Sequence, residues 1–227
     1  MNSPKPPFSS IRLTRRLCDG FDRIAMVLRA NQWSSANASG LNPAQAQVLN
    51  FLVGRGEAGV RVKEIASHLG VSQPTATETI LALERKDMIS KAPDPQDGRA
   101  IAVKATAGGK KAVKAISTSA TQTENAISQM SIDEQTDLLL LQVKLIRLLQ
   151  QSGAIPEQRM CVTCQYFQPN INSDAENPHH CAFVNAAFGN RNLRLDCGEH
   201  ETAEPSAQAT TWQTFTKQGS GHLQAIL

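Results

Sequence analysis

The sequence predicts a mainly α fold with one small β-wing, assembled as a dimer and followed by a short metal-stapled C-terminal segment. Three observations predict it. Apolar residues recur at three- and four-residue spacing through most of residues 11–151, the period of amphipathic helices. One pair of short alternating strands, separated by Asp97-Gly98, interrupts that period. Four of the five cysteines fall between Cys161 and Cys197.

The totals set the limits. A chain of 227 residues suits one sizeable domain and a small one, and 41% hydrophobic with 19% charged residues excludes wholesale disorder. A net charge of +3 permits nucleic acid as a partner without establishing it. "MNSPKPPFSSIRL" contains no apolar core of a secretion signal, so a cytoplasmic protein is expected. The apolar run at residues 138–141 is broken by Gln142, Lys144 and Arg147, far short of the roughly 20 residues of a membrane span. In a reducing compartment four clustered cysteines read as ligands rather than disulfides. Cys18 lies in an amphipathic pattern and reads as a small buried hydrophobe.

Each element has its local cause. Ile11, Leu13, Leu17, Phe21, Ile24 and Leu28 form one stripe of a first helix ending near Trp33, and "NQWSSANASG" reads as a loop. Asn42 and Pro43 open a second helix, with Ala46, Leu49 and Val53 on one face and Gly54 and Gly56 as its stop. Val62, Ile65, Ala66 and Leu69 form a third helical face. Gly70 breaks it, and Ser72 can cap a fourth helix whose buried face is Ala76, Ile80 and Leu83. Helix, tight turn, helix is followed by a hairpin with a tight turn at Asp97-Gly98, its second strand placing Ile101 and Val103 on one face. Residues 107–128 carry a sparse helical stripe at Val113, Ile116 and Ile127. Ser131 and Glu134 form a capping box ahead of "LLLLQVKLIRLLQQ", a helix apolar round most of its circumference that calls for a partner chain. Gly153 and Pro156 end it. The resulting division is 1–152 for the winged-helix and dimerisation domain, 153–203 for the Cys-rich domain and 204–227 for a tail without an assigned role, whose "HLQAIL" end could dock on the partner helix.

"VKEIASHLGVSQPTATETILALERKDMI" and "DPQDGRAIAVKATAGGKK" together make residues 11–151 resemble the MarR family of dimeric winged helix-turn-helix transcription regulators. The resemblance implies a homodimer joined by the first and last helices of this region, with two recognition helices in successive major grooves of double-stranded DNA. Short polar side chains near a helix N-terminus can reach base edges, and flanking positive charge holds phosphates. Ser72, Gln73, Thr75, Thr77 and Glu78 are the candidates for the first role, and Arg61, Lys63, Lys91 and Arg99, with Arg85 and Lys86, for the second. Relative to the family, Glu78 and Gly98 stand where basic residues are common, which predicts weak non-specific binding. His68 reads as a surface or packing residue.

The Cys-rich segment runs Cys161, two residues, Cys164, sixteen, Cys181, fifteen, Cys197, two, His200. Two-residue gaps aim adjacent ligands at one point, as zinc and iron-sulfur sites require. Zinc would take Cys161, Cys164 and Cys197 with His200 or Cys181. The spacing of the four cysteines is similar to that of high-potential iron-sulfur proteins, which implies a [4Fe-4S] cluster, with Tyr166, Phe167, Phe183 and Phe188 as its shield from water. His179 and His180 read as loop residues. The expected function is a DNA-binding repressor that senses redox or cluster status through the four cysteines. Two alternatives stand beside it: a regulator answering to a small-molecule effector with a structural zinc, and an electron-transfer or accessory protein. No nucleophile-base-acid arrangement is legible, so no enzymatic activity is expected.

Overall fold

The computed structural model describes residues 12–56, 59–94, 97–116 and 120–217, so Ile11 and the "HLQAIL" end lie outside the described residues. The winged-helix body comprises α1 (Leu13–Ala38), α2 (Pro43–Gly54), β1 (Val60–Arg61), α3 (Val62–Leu69), α4 (Gln73–Glu84), β2 (Ile89–Pro93), β3 (Ile101–Ala105), α5 (Ala107–Ile116) and α6 (Gln122–Ile127). Then come α7 (Ile132–Gln151), β4 (Phe167–Gln168), β5 (His179–Cys181), β6 (Ala186–Phe188) and α8 (Pro205–Lys217). No helix among the described residues is long and apolar enough to cross a membrane.

The predicted caps form. The Asn42 side chain accepts from the Gln45 N–H at 2.8 Å while the Gln45 side chain accepts from the Asn42 N–H, leaving few orphan donors at the start of α2. Ser131 and Glu134 cap α7 in the same reciprocal way. Gly70 takes the left-handed conformation (φ 65°) that ends α3, and Ser72 caps α4. Ala76, Ile80 and Leu83 then enter a core with Val48, Leu49, Leu52, Ile65 and Val103. Each such side chain contributes on the order of 1.5–3 kcal/mol through burial.

Four expectations are corrected here. The segment read as a loop at residues 31–40 is helical as far as Ala38, because Ala36 is fully buried and Asn31 Nδ2 donates to Thr123 Oγ1 of α6 at 3.0 Å. Cys18 is exposed rather than buried. The wing turn is wider than a two-residue hairpin: Asp94 N–H donates to Ala100 O and Ala100 N–H to Asp97 O, so the two strands are closed across Asp94 and Ala100 rather than at Asp97-Gly98. Val103 is fully buried but Ile101, beyond the rim of the body, is 46% exposed. The wing also gains a third strand, with order β1-β3-β2, in which Val60 pairs Val103 and Ile89 pairs Ala105.

The helix apolar on both sides finds one cover within its own chain. Leu140 and Val143 of α7 are buried with Met160, Val162, Phe167, Leu193 and Phe215, and Leu139 and Ile146 pack against the same cluster. Phe215 and Trp212 belong to α8, so the boundary drawn at residue 203 cuts through a shared core. The other side of α7, with Leu141, Leu145, Leu148 and Leu149, is exposed, as is the α1 stripe of Leu13, Leu17, Phe21 and Ile24.

Behind the wing, α5 presses against the β2 entry. A Cβ built on Gly109 would lie 2.2 Å from the Met88 carbonyl oxygen and 3.1 Å from Leu49 Cδ2. Thr106 locks this contact, its hydroxyl donating to Asp87 O at 2.7 Å and accepting from Gly109 N–H. Gly109→Ala is therefore expected to destabilise the body by about 1–3 kcal/mol through overpacking, read as a lower denaturation midpoint in urea at unchanged slope.

Candidate functional sites

Gln73, Thr75, Thr77 and Glu78, in the first half of α4, are all exposed. Several are already engaged locally. Ser72 Oγ accepts from Thr75 N–H and lies 2.9 Å from Thr75 Oγ1, while Thr77 Oγ1 donates to Gln73 O at 2.8 Å. These bonds orient the hydroxyls and leave their lone pairs outward.

The flanking cations divide into two groups. Arg61 Nε donates to Asp94 Oδ2 at 2.6 Å and reaches Asp97 at 4.0 Å, which raises its pKa and fastens the wing base to the start of α3. Lys91 pairs with Glu84 of α4 at 2.6 Å, and Lys86 donates to Gly40 O and Gln45 Oε1. These three shape the body. Lys63, Arg85 and Arg99 are exposed on α3, at the end of α4 and on the wing tip.

The second candidate site gathers all four clustered cysteines. Cys161 opens a 3-10 turn, Cys164 bridges to Thr202, Cys181 ends β5 opposite Phe167, and Cys197 follows the loop after Leu195. Together they line a cavity of about 300 Å³ whose wall includes Tyr166, Phe167, Phe183 and Phe188, the four aromatics expected there. Arg194 reaches two of the thiols: its backbone N–H donates to Cys161 Sγ at 3.3 Å and its Nη1 to Cys197 Sγ at 3.4 Å. Burial pushes the Cys161 thiol up to about 11, opposed by the Arg194 N–H and reinforced by its neighbours Cys197, Cys164 and Cys181.

Two histidines fall elsewhere than expected. His200 does not line the cavity; its Nε2 meets Thr163 Oγ1 at 2.9 Å, on the side facing Arg159 and Arg55. It is not brought together with the cysteines as a ligand. His179 is no loop residue but sits in β5, 1% exposed, with its ring edge-on to Phe167 and Phe188. Asn170 N–H donates to its Nδ1, which leaves Nε2 to donate to Asn190 Oδ1 at 2.8 Å, a neutral tautomer favoured by burial. Sequence reading also missed the joint between the two units, where Arg55 pairs with Asp196 at 2.9 Å. "LRLDC" did place Arg194 and Asp196 beside Cys197, but adjacency in sequence carries no direction in space.

Fold and α4 face define the class: a winged helix-turn-helix body with an added cysteine-lined unit. Residues 39–100 match the MarR family. A MarR-like body is seen likewise in the S. aureus MepR-DNA complex, with 23% identity, 57% of this chain and 94% of that chain covered, and a TM-score of 0.50. CouR from Rhodococcus jostii RHA1, solved with p-coumaroyl-CoA, covers 65% of this chain and 98% of its own at 20% identity and a TM-score of 0.50. No curated protein matches the chain.

Asp94 is the anchor of the wing in this geometry. Asp94→Ala is expected to release Arg61 and Asp97 from their shared contact, seen in limited proteolysis as faster cleavage within the wing while the rest of the body stays intact.

Proposed function

We propose that the protein is a sequence-specific, DNA-binding transcription regulator of the MarR type, a repressor whose operator affinity depends on a [4Fe-4S] cluster held by Cys161, Cys164, Cys181 and Cys197. One observation carries the cluster part of this reading: four soft ligands surround a common, aromatic-walled cavity. Among the described residues no group of three or more His, Cys, Asp or Glu is arranged to hold a single ion. A zinc ion needs sulfurs at about 2.3 Å from one centre, and therefore roughly 4 Å from each other, whereas a cluster spreads its ligands around a larger body. The donor set and the cavity fit the cluster. When bound it would supply one-electron chemistry; Arg194 would neutralise sulfur charge, and the aromatics would exclude water.

For the DNA part, the exposed N-terminal half of α4 supports base contacts from Gln73, Thr77 and Glu78, with Ser72 and Thr75 shaping the helix start. Lys63 and Arg99, both exposed, would meet phosphates, and Arg61 and Lys91 would act through the wing. MepR was solved bound to DNA, which supports the same use of this fold here. The uncovered apolar stripes of α1 and α7 support a homodimer. A second reading has a specific feature in its favour: a crevice of about 280 Å³ between α1, α2 and α6, lined by Leu28, Asn31, Asn50, Ile116 and Glu124, could take a small-molecule effector. CouR was solved with such a ligand.

Anaerobically purified protein is expected to contain iron and sulfide and to absorb in the visible blue. His200→Asn should keep the iron and Cys181→Ala lose it. Stoichiometric zinc without colour would overturn the cluster. At the reader, Gln73→Ala and Thr77→Ala should each weaken operator binding by about 1–3 kcal/mol in a titration, whereas Arg99→Ala should weaken all sequences alike.

A further inference from the structure

We infer that Arg55, a residue of the winged-helix body, is a positioning residue for Cys197, and that through it α2 and α3 register the state of the cysteine site. The inference rests on the cluster reading above and adds the contact through which that site acts.

Arg55 stands directly after α2, and its side chain is only 15% exposed. Nη1 donates to Asp196 Oδ1 at 2.9 Å, one residue before Cys197. The guanidinium lies 4.3 Å above the Phe51 ring, one turn back along α2. Phe51 in turn stacks on His68 with centroids 4.0 Å apart and planes 17° from parallel. His68 is in the last turn of α3, two residues before the Gly70 turn that leads into α4. The chain of contact from the cysteine loop to the reader is thus Cys197, Asp196, Arg55, Phe51, His68.

The loop side is equally constrained. Cys197 N–H donates to Arg159 O at 3.0 Å, and Arg159 Nη2 donates to Gly198 O. Gly198 lies against the end of α2, where an added Cβ would be 3.4 Å from Gly54 O. Two guanidiniums, Arg55 and Arg159, therefore share the charge of Asp196 beside Cys197. The other three cysteines sit on segments hydrogen-bonded within their own unit: Cys161 to Arg194, Cys164 to Thr202 and Cys181 in the β4-β5-β6 sheet. Cys197 is tied to its own unit through Arg159 O as well, but its loop carries the salt bridge to Arg55 at the end of α2. A shift of its sulfur on gain or loss of a cluster pulls on Asp196, and Arg55 passes that displacement to the two helices that aim α4.

The test uses the full chain, purified anaerobically, before and after stripping with an iron chelator. Operator affinity and amide hydrogen exchange at residues 49–56 and 62–70 are measured in both states for the intact chain, Asp196→Asn and Arg55→Gln. In the intact chain, stripping is expected to speed exchange at those amides and to lower operator affinity by about tenfold or more, within the range of ordinary allosteric couplings. Both variants should show fast exchange in either state and an affinity ratio near unity. Loss of iron from both variants, with unchanged circular dichroism, also supports the positioning of Cys197. Iron-loaded variants that keep the intact chain's ratio and its exchange difference overturn the role of Arg55. An intact chain without iron, or with an affinity indifferent to stripping, overturns the cluster reading itself before any variant is compared.

Discussion

The structure depends on covering α7. A helix with leucines round most of its circumference cannot stand in water on either side, and residues 155–217 fold where they do because Leu140 and Val143 need Met160, Val162 and Phe215 against them. That contact holds the cysteine unit to the body and brings Asp196 within reach of Arg55. It also keeps a cation in an apolar setting: Arg147 is 8% exposed, with its guanidinium 4.9 Å from the Trp212 ring, an arrangement in which the aromatic face partly replaces lost water. The uncovered half of the helix shares its apolar, exposed character with the α1 stripe.

The same economy governs the charges of the reader. Lys86, Lys91 and Arg61 look in sequence like phosphate contacts, yet each has an oxygen acceptor inside the fold at 2.6–3.0 Å. Glu78 adds a carboxylate to the exposed face of α4, and the exposed cations nearby include Lys63, Arg85 and Arg99. On the DNA-binding reading proposed above, such a surface would rely on the relative placement of two recognition helices more than on counterion release. The proposed regulation by small displacements would be well matched to that dependence, because a weak electrostatic grip cannot compensate for a misplaced helix.

Much of the fold was legible because its causes are local. Asn42-Pro43, Gly70-Val71-Ser72 and Ser131 with Glu134 set helix ends through bonds that span three residues, and Ala76, Ile80 and Leu83 follow from period alone. What failed were elements whose cause lies far along the chain. Residues 31–38 mix Ala and Gln with Asn, Ser and Trp, so propensity alone does not decide them, and they are helical because Ala36 fits the core and Asn31 meets Thr123. Ile101 has the alternation of a buried strand residue but projects past the body. His179 looked like a loop histidine until three aromatic rings, one of them from α8, closed around it.

The sequence by itself determined which residues could be ligands and where α4 begins, since cysteine spacing and helix capping are written in consecutive residues. Tertiary structure alone decided which of those residues meet. It set the four cysteines around one cavity and turned His200 toward Thr163, and it joined Cys197 to α2 through a salt bridge between residues 141 positions apart. The physical reason is range: a capping bond or a helical stripe needs only neighbours, whereas burial of α7 and the pairing of Arg55 with Asp196 exist only once distant segments have packed.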